Sequence, residues 1–376
     1  MLSILGAVVL LINPELLLAQ SKAGLNATVV PVADEQFLVR FRSDVVIRRA
    51  AKLIPDKSSS SSKLSSKEIS EQISNVEQAS LVAFGLKGKK QGVIATDSIY
   101  LASKANKNSK VSIDRLAKDA WSLGAVIAPN SAILALAPDS PLHAYKSYFV
   151  KQGDSVKALS DRGPDEDGIK GRSVVAVIGS GLNESSAAVT KRIYRKFSCK
   201  PNIPGCSFVY KEPNTIDSKR YDPSEEVGII PVESGSDSLI LPVKILDASG
   251  RGSLLSLAQA LDWIINLKNQ KGVLIQEAIL DLDVPVVDSE TKYLYPIFYP
   301  IFKAAEEAGI VLAVKGASGT DVFTFPSDLS SSSTFLNPKT KKVYPGLNNI
   351  VPLPSASKTG GSGGAASTPV ASSPNR

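Results

Sequence analysis

The sequence is poor in the residues that most often carry chemistry. It holds one histidine, His143, and two cysteines, Cys199 and Cys206. Two thiols with a single imidazole make a poor metal site, so no metal centre is expected and nothing calls for a cofactor. Aromatics are scarce at 6%, and no compact Lys/Arg block interleaves with them. The net charge of +7 therefore does not mark a nucleic-acid surface. No stretch beyond the first twenty residues is long and apolar enough for a transmembrane segment. What remains is an ordinary globular composition, 43% hydrophobic and 21% charged, over 376 residues, which is enough for two domains.

Residues 4–12 form an apolar run, followed by Pro14-Glu15 and a second apolar patch over 16–19. That is too short and interrupted to span a bilayer. It fits a secretory signal peptide, bounded here as residues 1–21, although the usual basic start is missing. Secretion is therefore expected. In an oxidising compartment Cys199 and Cys206, with Pro201 and Pro204 between them, are expected to close a small loop. Asn26-Ala27-Thr28 and Asn183-Glu184-Ser185 match the glycosylation pattern, which makes Asn26 and Asn183 candidates.

Residues 36–42 alternate apolar and polar side chains and predict a strand. Residues 57–67 are Ser/Lys-rich and read as a flexible insertion, with a short helix over 66–72. Residues 81–85 and 92–102 read as two strands joined by the basic turn Lys87-Gly88-Lys89-Lys90. Residues 113–123 suit a helix, and 125–136 a strand broken by Pro129-Asn130. This βαββαβ order is a ferredoxin-like arrangement, expected to fill residues 25–150 as a small α+β domain. An unrelated small α/β domain is the open alternative. Residues 151–172 are polar, with Asp154, Asp161, Asp165, Glu166 and Asp167 among glycines, and suit a linker.

From residue 173 the pattern changes. Residues 174–178 read as a buried strand. Residues 239–246 are a nearly unbroken apolar run, the mark of a strand covered on both faces. Asp247 to Gly252 has turn chemistry, and Ser253 can cap a helix whose apolar face holds Leu254, Leu257, Ala258, Leu261, Ile264 and Ile265. Lys268, Lys271 and Gly272 stop it. A strand over 273–280, a helix over 297–308 despite Pro300, and a strand over 310–314 follow. Strands alternating with helices at these lengths predict a parallel sheet with helices on its faces, over residues 173–354. Residues 355–376 lack periodicity and read as a disordered tail. Asp281, Asp283, Asp288 and Glu290 match no calcium-loop spacing and read as a solvated acidic face. Trp121 and Trp263 read as packing residues.

Three stretches carry a resemblance. LPVKILDASGRGSLLSLAQALDWI, from Leu241, resembles the segment that follows the catalytic histidine in the subtilisin-like serine proteases, or subtilases. VVAVIGSGL, from Val174, resembles their strand that runs into the catalytic aspartate. IVLAVKGASG, from Ile310, resembles their oxyanion-hole strand and loop. The matches keep the family's order over about residues 170–350. The resemblance implies an incomplete subtilase-like α/β domain, preceded by a ferredoxin-like, propeptide-like one with processing near the linker.

The resemblance also implies where the chemistry should sit. A serine triad needs a hydroxyl, an imidazole, a carboxylate and oxyanion donors. Gly179 stands where the family has its aspartate. The region expected to hold the histidine contains none, and counting back from Gly228 places Asp222 at that position. His143 lies in the first domain. Ala317 stands where the oxyanion asparagine is expected, and no GTSxAxP word follows. The expectation is a secreted pseudoprotease that acts by binding, as a decoy or as a trans-inhibitor of an active subtilase. Its partners would be that enzyme or its substrates. A serine-type endopeptidase whose active form this chain does not represent, through truncation or gene misassembly, is the alternative.

Overall fold

The computed structural model describes residues 36–53, 65–94, 97–106, 112–134, 173–181, 192–199, 204–209, 238–247, 250–280, 282, 284, 288–315, 326–327, 330, 335–336 and 343–353. The signal-peptide, linker and tail expectations lie outside these residues.

The first unit runs β1 (Gln36–Phe41), α1 (Ser43–Leu53), α2 (Ser66–Ala83), β2 (Leu86–Ile94), β3 (Asp97–Lys104), α3 (Ile113–Ser122) and β4 (Ala125–Pro129). Its sheet is antiparallel, in the order β2-β3-β1-β4. Three sequence readings need correction. Residues 92–102 are not one strand: 92–94 end β2, and 97–102 belong to β3, antiparallel to it. Residues 81–83 close α2 and are not a strand. Lys87 to Lys90 lie inside β2 and not in a turn. The helix begins at a capping box, where Glu68 N donates to Ser65 Oγ and Ser65 N donates to Glu68 Oε2. Val76, Ser80 and Leu81 then fall at helical spacing on its buried side. Helix α1, with Val46 and Ala50 buried four residues apart, is an element the sequence reading passed over.

The period-two alternation of the strands sorts side chains to two faces. Phe37, Val39, Phe41, Tyr100, Ala102, Ala125 and Ile127 meet the buried residues of α1, α2 and α3. Leu38, Ile99, Val126 and Ala128 point the other way and join a larger core that belongs to the second unit.

That unit is built on a six-stranded parallel sheet of β6 (Val174–Gly179), β7 (Cys206–Ser207), β8 (Leu239–Lys244), β10 (Ile275–Leu280), β11 (Val311–Lys315) and β14 (Ile350–Leu353). The order is β14-β11-β10-β6-β8-β7, so β6 is central, with β8 beside it and β10 between it and β11. Short pairs complete the described strands: β5 (Ala132–Leu134) with β9 (Arg251–Ser253), and β12 (Phe335–Leu336) with β13 (Val343–Tyr344). Helices α4 (Leu254–Lys271) and α5 (Asp288–Glu307) share a core with Val174, Ala176, Ile178, Leu241, Val243 and Leu312. Both described helices lie on this one face of the sheet. Val175, Ile240, Ile279 and Ala313, on the opposite face, are buried as well. A buried face on each side explains the unbroken apolar runs that first marked these strands.

The molecule is therefore layered: helices α1 to α3, the antiparallel sheet, helices α4 and α5, and the parallel sheet. Helix α4 is capped from both units. Ser256 N donates to Ser253 Oγ at 3.2 Å, as expected of the cap. Leu255 N donates to Asn130 Oδ1 at 3.2 Å, and Leu254 N to the Ser131 carbonyl at 3.2 Å. The Pro129-Asn130 break therefore ends the first sheet and turns the chain toward α4. At the other end Gly272 takes the left-handed conformation, φ 66°, that a C-cap favours.

A polar cluster sits inside the first unit. Tyr100 Oη donates to Glu77 Oε2 at 2.8 Å, and Lys90 Nζ approaches the same oxygen at 3.4 Å. Burial, then the Glu77 charge and its hydrogen bond, push the Tyr100 phenol above the ordinary tyrosine range. An unfolded tyrosine loses its proton near pH ~10 while the folded one keeps it. Stability should thus fall as pH rises past about 10. Tyr100→Phe should flatten that alkaline slope, measured as urea midpoints against pH. At neutral pH it should cost about 1.5–3 kcal/mol for the lost donor to the buried Glu77 carboxylate.

Candidate functional site

In a parallel sheet a ligand crevice opens outside the carboxyl ends of the strands, where the strand order reverses. Here the chain runs from β6 to β8 on one side and returns to β10 on the other. The reversal lies between β6 and β10, so Gly179 and Leu280 flank it.

Gly179 ends β6 and pairs in register with Lys244 at the end of β8. Its carbonyl oxygen accepts Ile245 N at 2.8 Å and Leu246 N at 3.2 Å. Those bonds tie β6 to the chain leaving β8. Ser180 follows at 4% exposure, and Gly181 takes φ 124°, a conformation L side chains rarely adopt. Among the described residues, 179–181 form a tight backbone turn that itself carries no carboxylate. Lys244, fully buried, is the charged side chain nearest in register.

The other sequence-derived positions do not come together among the described residues. Asp222, Ala317, His143, Asn26 and Asn183 lie outside them, as do Asp281 and Asp283. Asp288 and Glu290 belong to the first turn of α5. Among the described residues no group of three His, Cys, Asp or Glu side chains is placed to hold a metal ion.

Cys199 and Cys206 are joined by a disulfide with their Cα atoms 5.0 Å apart. The described segments on either side of that loop, 192–199 and 204–209, lie along the outer edge of β8. Tyr194 N donates to the Ile240 carbonyl and Ile240 N to the Arg192 carbonyl, both at 2.7 Å. Further along, β7 pairs Cys206 with Val243 and Ser207 with Lys244. Phe208, fully buried, stacks edge-on to Trp263 of α4 with ring centroids 6.3 Å apart. The disulfide thus fastens a cover over a strand edge that would otherwise present unpaired backbone groups. Trp121 packs under the Arg42 guanidinium, 4.4 Å from its ring centroid.

Sequence reading missed Asn130, which reaches from the first unit to the start of α4. Only its place after a proline signalled a turn there.

No family model matches the sequence, and no curated protein matches it. Among solved structures the chain is similar to fervidolysin from Fervidobacterium pennivorans, a keratinolytic enzyme related to subtilisin. The identity is 12%, over 84% of this chain and 46% of that one, with a TM-score of 0.40. The chain spans less than half the length of that enzyme's chain. A likeness of this size does not establish the family.

Gly205 ties the disulfide loop to the sheet. It has φ 73°, and a Cβ there would overlap the carbonyl oxygen of Pro242 on β8. Gly205→Ala should destabilise the protein by about 3 kcal/mol or more, through strain and clash together. Urea unfolding of the oxidised protein checks this, with Gly85→Ala, a left-handed site with open space around it, as the reference.

Proposed function

We propose that this chain is a secreted, catalytically silent subtilisin-like protein that acts by binding. One observation carries the reading. The strand whose sequence resembles the family's aspartate strand is the central one, and it ends at the sheet's reversal point in a glycine. A residue without a side chain cannot orient an imidazole, whatever supplies the rest of the site. The sequence adds the absent histidine word and Ala317.

The first unit is, on the same reading, a ferredoxin-like and propeptide-like domain. Its antiparallel order β2-β3-β1-β4 and its seat on α4 and α5 support that reading. The sheet face that would bind another subtilase is occupied in cis by the chain's own core. That favours a decoy, which competes for the substrates or regulators of an active relative, over an inhibitor acting through the first unit in trans.

Titrating the purified protein into an active subtilase, with a chromogenic peptide and separately with a protein substrate, tests this. A decoy lowers the rate on protein substrate, is overcome by excess substrate, and leaves the peptide rate unchanged. Saturable inhibition on both substrates selects the trans-inhibitor. Hydrolysis by the protein alone overturns the reading in favour of an endopeptidase. Gly179→Asp should restore no hydrolysis.

A further inference from the structure

Helix α5 contains Pro296 and Pro300. A proline at 300 has no N–H, so the carbonyl of Pro296, four residues earlier, has no intrahelical i+4 donor. Pro296 is buried. A carbonyl left unpaired there would be costly, and bulk water is not at hand to satisfy it. The donor comes from the other unit: Arg40 Nη2 reaches the Pro296 carbonyl oxygen at 2.7 Å.

Arg40 lies on β1 between Val39 and Phe41, which face the helices of the first unit, so the alternation turns it toward α5. It is 7% exposed, and its charge is answered by an ion pair with Asp97 on β3. The other Asp97 oxygen accepts Ser43 N at 2.8 Å, at the start of α1. The guanidinium is thus held by its own unit and offers one edge to the other. A second contact lies nearby, where Tyr293 Oη donates to Asp114 Oδ1 of α3.

We propose that Arg40 is a pin that makes the continuity of α5 depend on docking of the first unit. While the first unit is seated, the carbonyl that Pro300 orphans is satisfied and α5 runs unbroken from Asp288 to Glu307. When the unit lifts away, that oxygen loses its donor and α5 breaks across the Pro296–Pro300 turn. Because α5 leads through Gly309 into the start of β11, two strands from β6, docking is coupled to the amino side of the parallel sheet. The proposal does not depend on the binding function above.

The test is hydrogen exchange by mass spectrometry on four forms of the full chain. These are the native protein, Arg40→Met with Asp97→Asn, Pro300→Ala, and all three changes together. The paired change removes the cation without stranding an anion, and the side-chain amide introduced by Asp97→Asn keeps an acceptor for Ser43 N. In the native background it should speed exchange over residues 297–305 by roughly tenfold or more, the scale of a hydrogen bond to a charged group. Pro300→Ala restores an N–H beneath the Pro296 oxygen. In that background the same paired change should alter exchange by less than about threefold. Equal acceleration in both backgrounds, or none in either, overturns the pin. Should the paired variant not fold, the triple variant decides. A folded triple supports the proposal, and an unfolded one overturns it.

Discussion

Both faces of the first sheet have to be dry, and much of the architecture follows from that. Its three helices can cover one face only. Leu38, Ile99 and Val126 on the other face each contribute roughly 1.5–3 kcal/mol when buried, and α4 and α5 bury them. The same helices must also cover the parallel sheet, which is why both are apolar around most of their circumference. In α4 Leu254, Leu255, Leu257, Ala258, Ala260 and Leu261 are all buried, leaving little of its first half for solvent. Arg40 and Asp97 are a polar exception on the shared face, tolerated because each answers the other's charge and Arg40 Nη2 is used by the Pro296 carbonyl.

The carboxyl end of the parallel sheet has a different character. Among the described residues the backbone organises the end of β6: the Gly179 carbonyl holds the start of the chain leaving β8. The outer edge of β8 is closed by backbone bonds and a disulfide. These are devices of stability.

Much of the second unit was legible because its determinants are local. The strands over 174–179 and 239–244 announce themselves by apolar runs, and α4 by Ser253 at one end and Gly272 at the other. The first unit was harder. Leu81 and its neighbours form a short apolar run that fits strand or helix equally, and the deciding capping box at Ser65 lies outside that window. The lysines of β2 read as a turn because solvated charge is common in both; their edge position, which favours lysine, is a tertiary fact. Gly179 was legible as the glycine at the end of the central strand. Asn130 and Arg40 were not, because each acts on a partner far along the chain, Leu255 and Pro296, that no local pattern indicates.

The order of synthesis gives the shared sheet face another meaning. β1, β3 and β4 leave the ribosome well before α4 and α5, because 124 positions separate Asn130 of the first unit from Leu254 at the start of α4. The first unit can pair its strands and pack its own helices in that interval, yet Leu38, Ile99, Val126 and Ala128 stay uncovered until the second unit arrives. Such a nascent intermediate displays an apolar sheet surface to everything around it. Chaperone engagement of that surface, as much as native-state packing, therefore bears on how many of these chains reach the folded state.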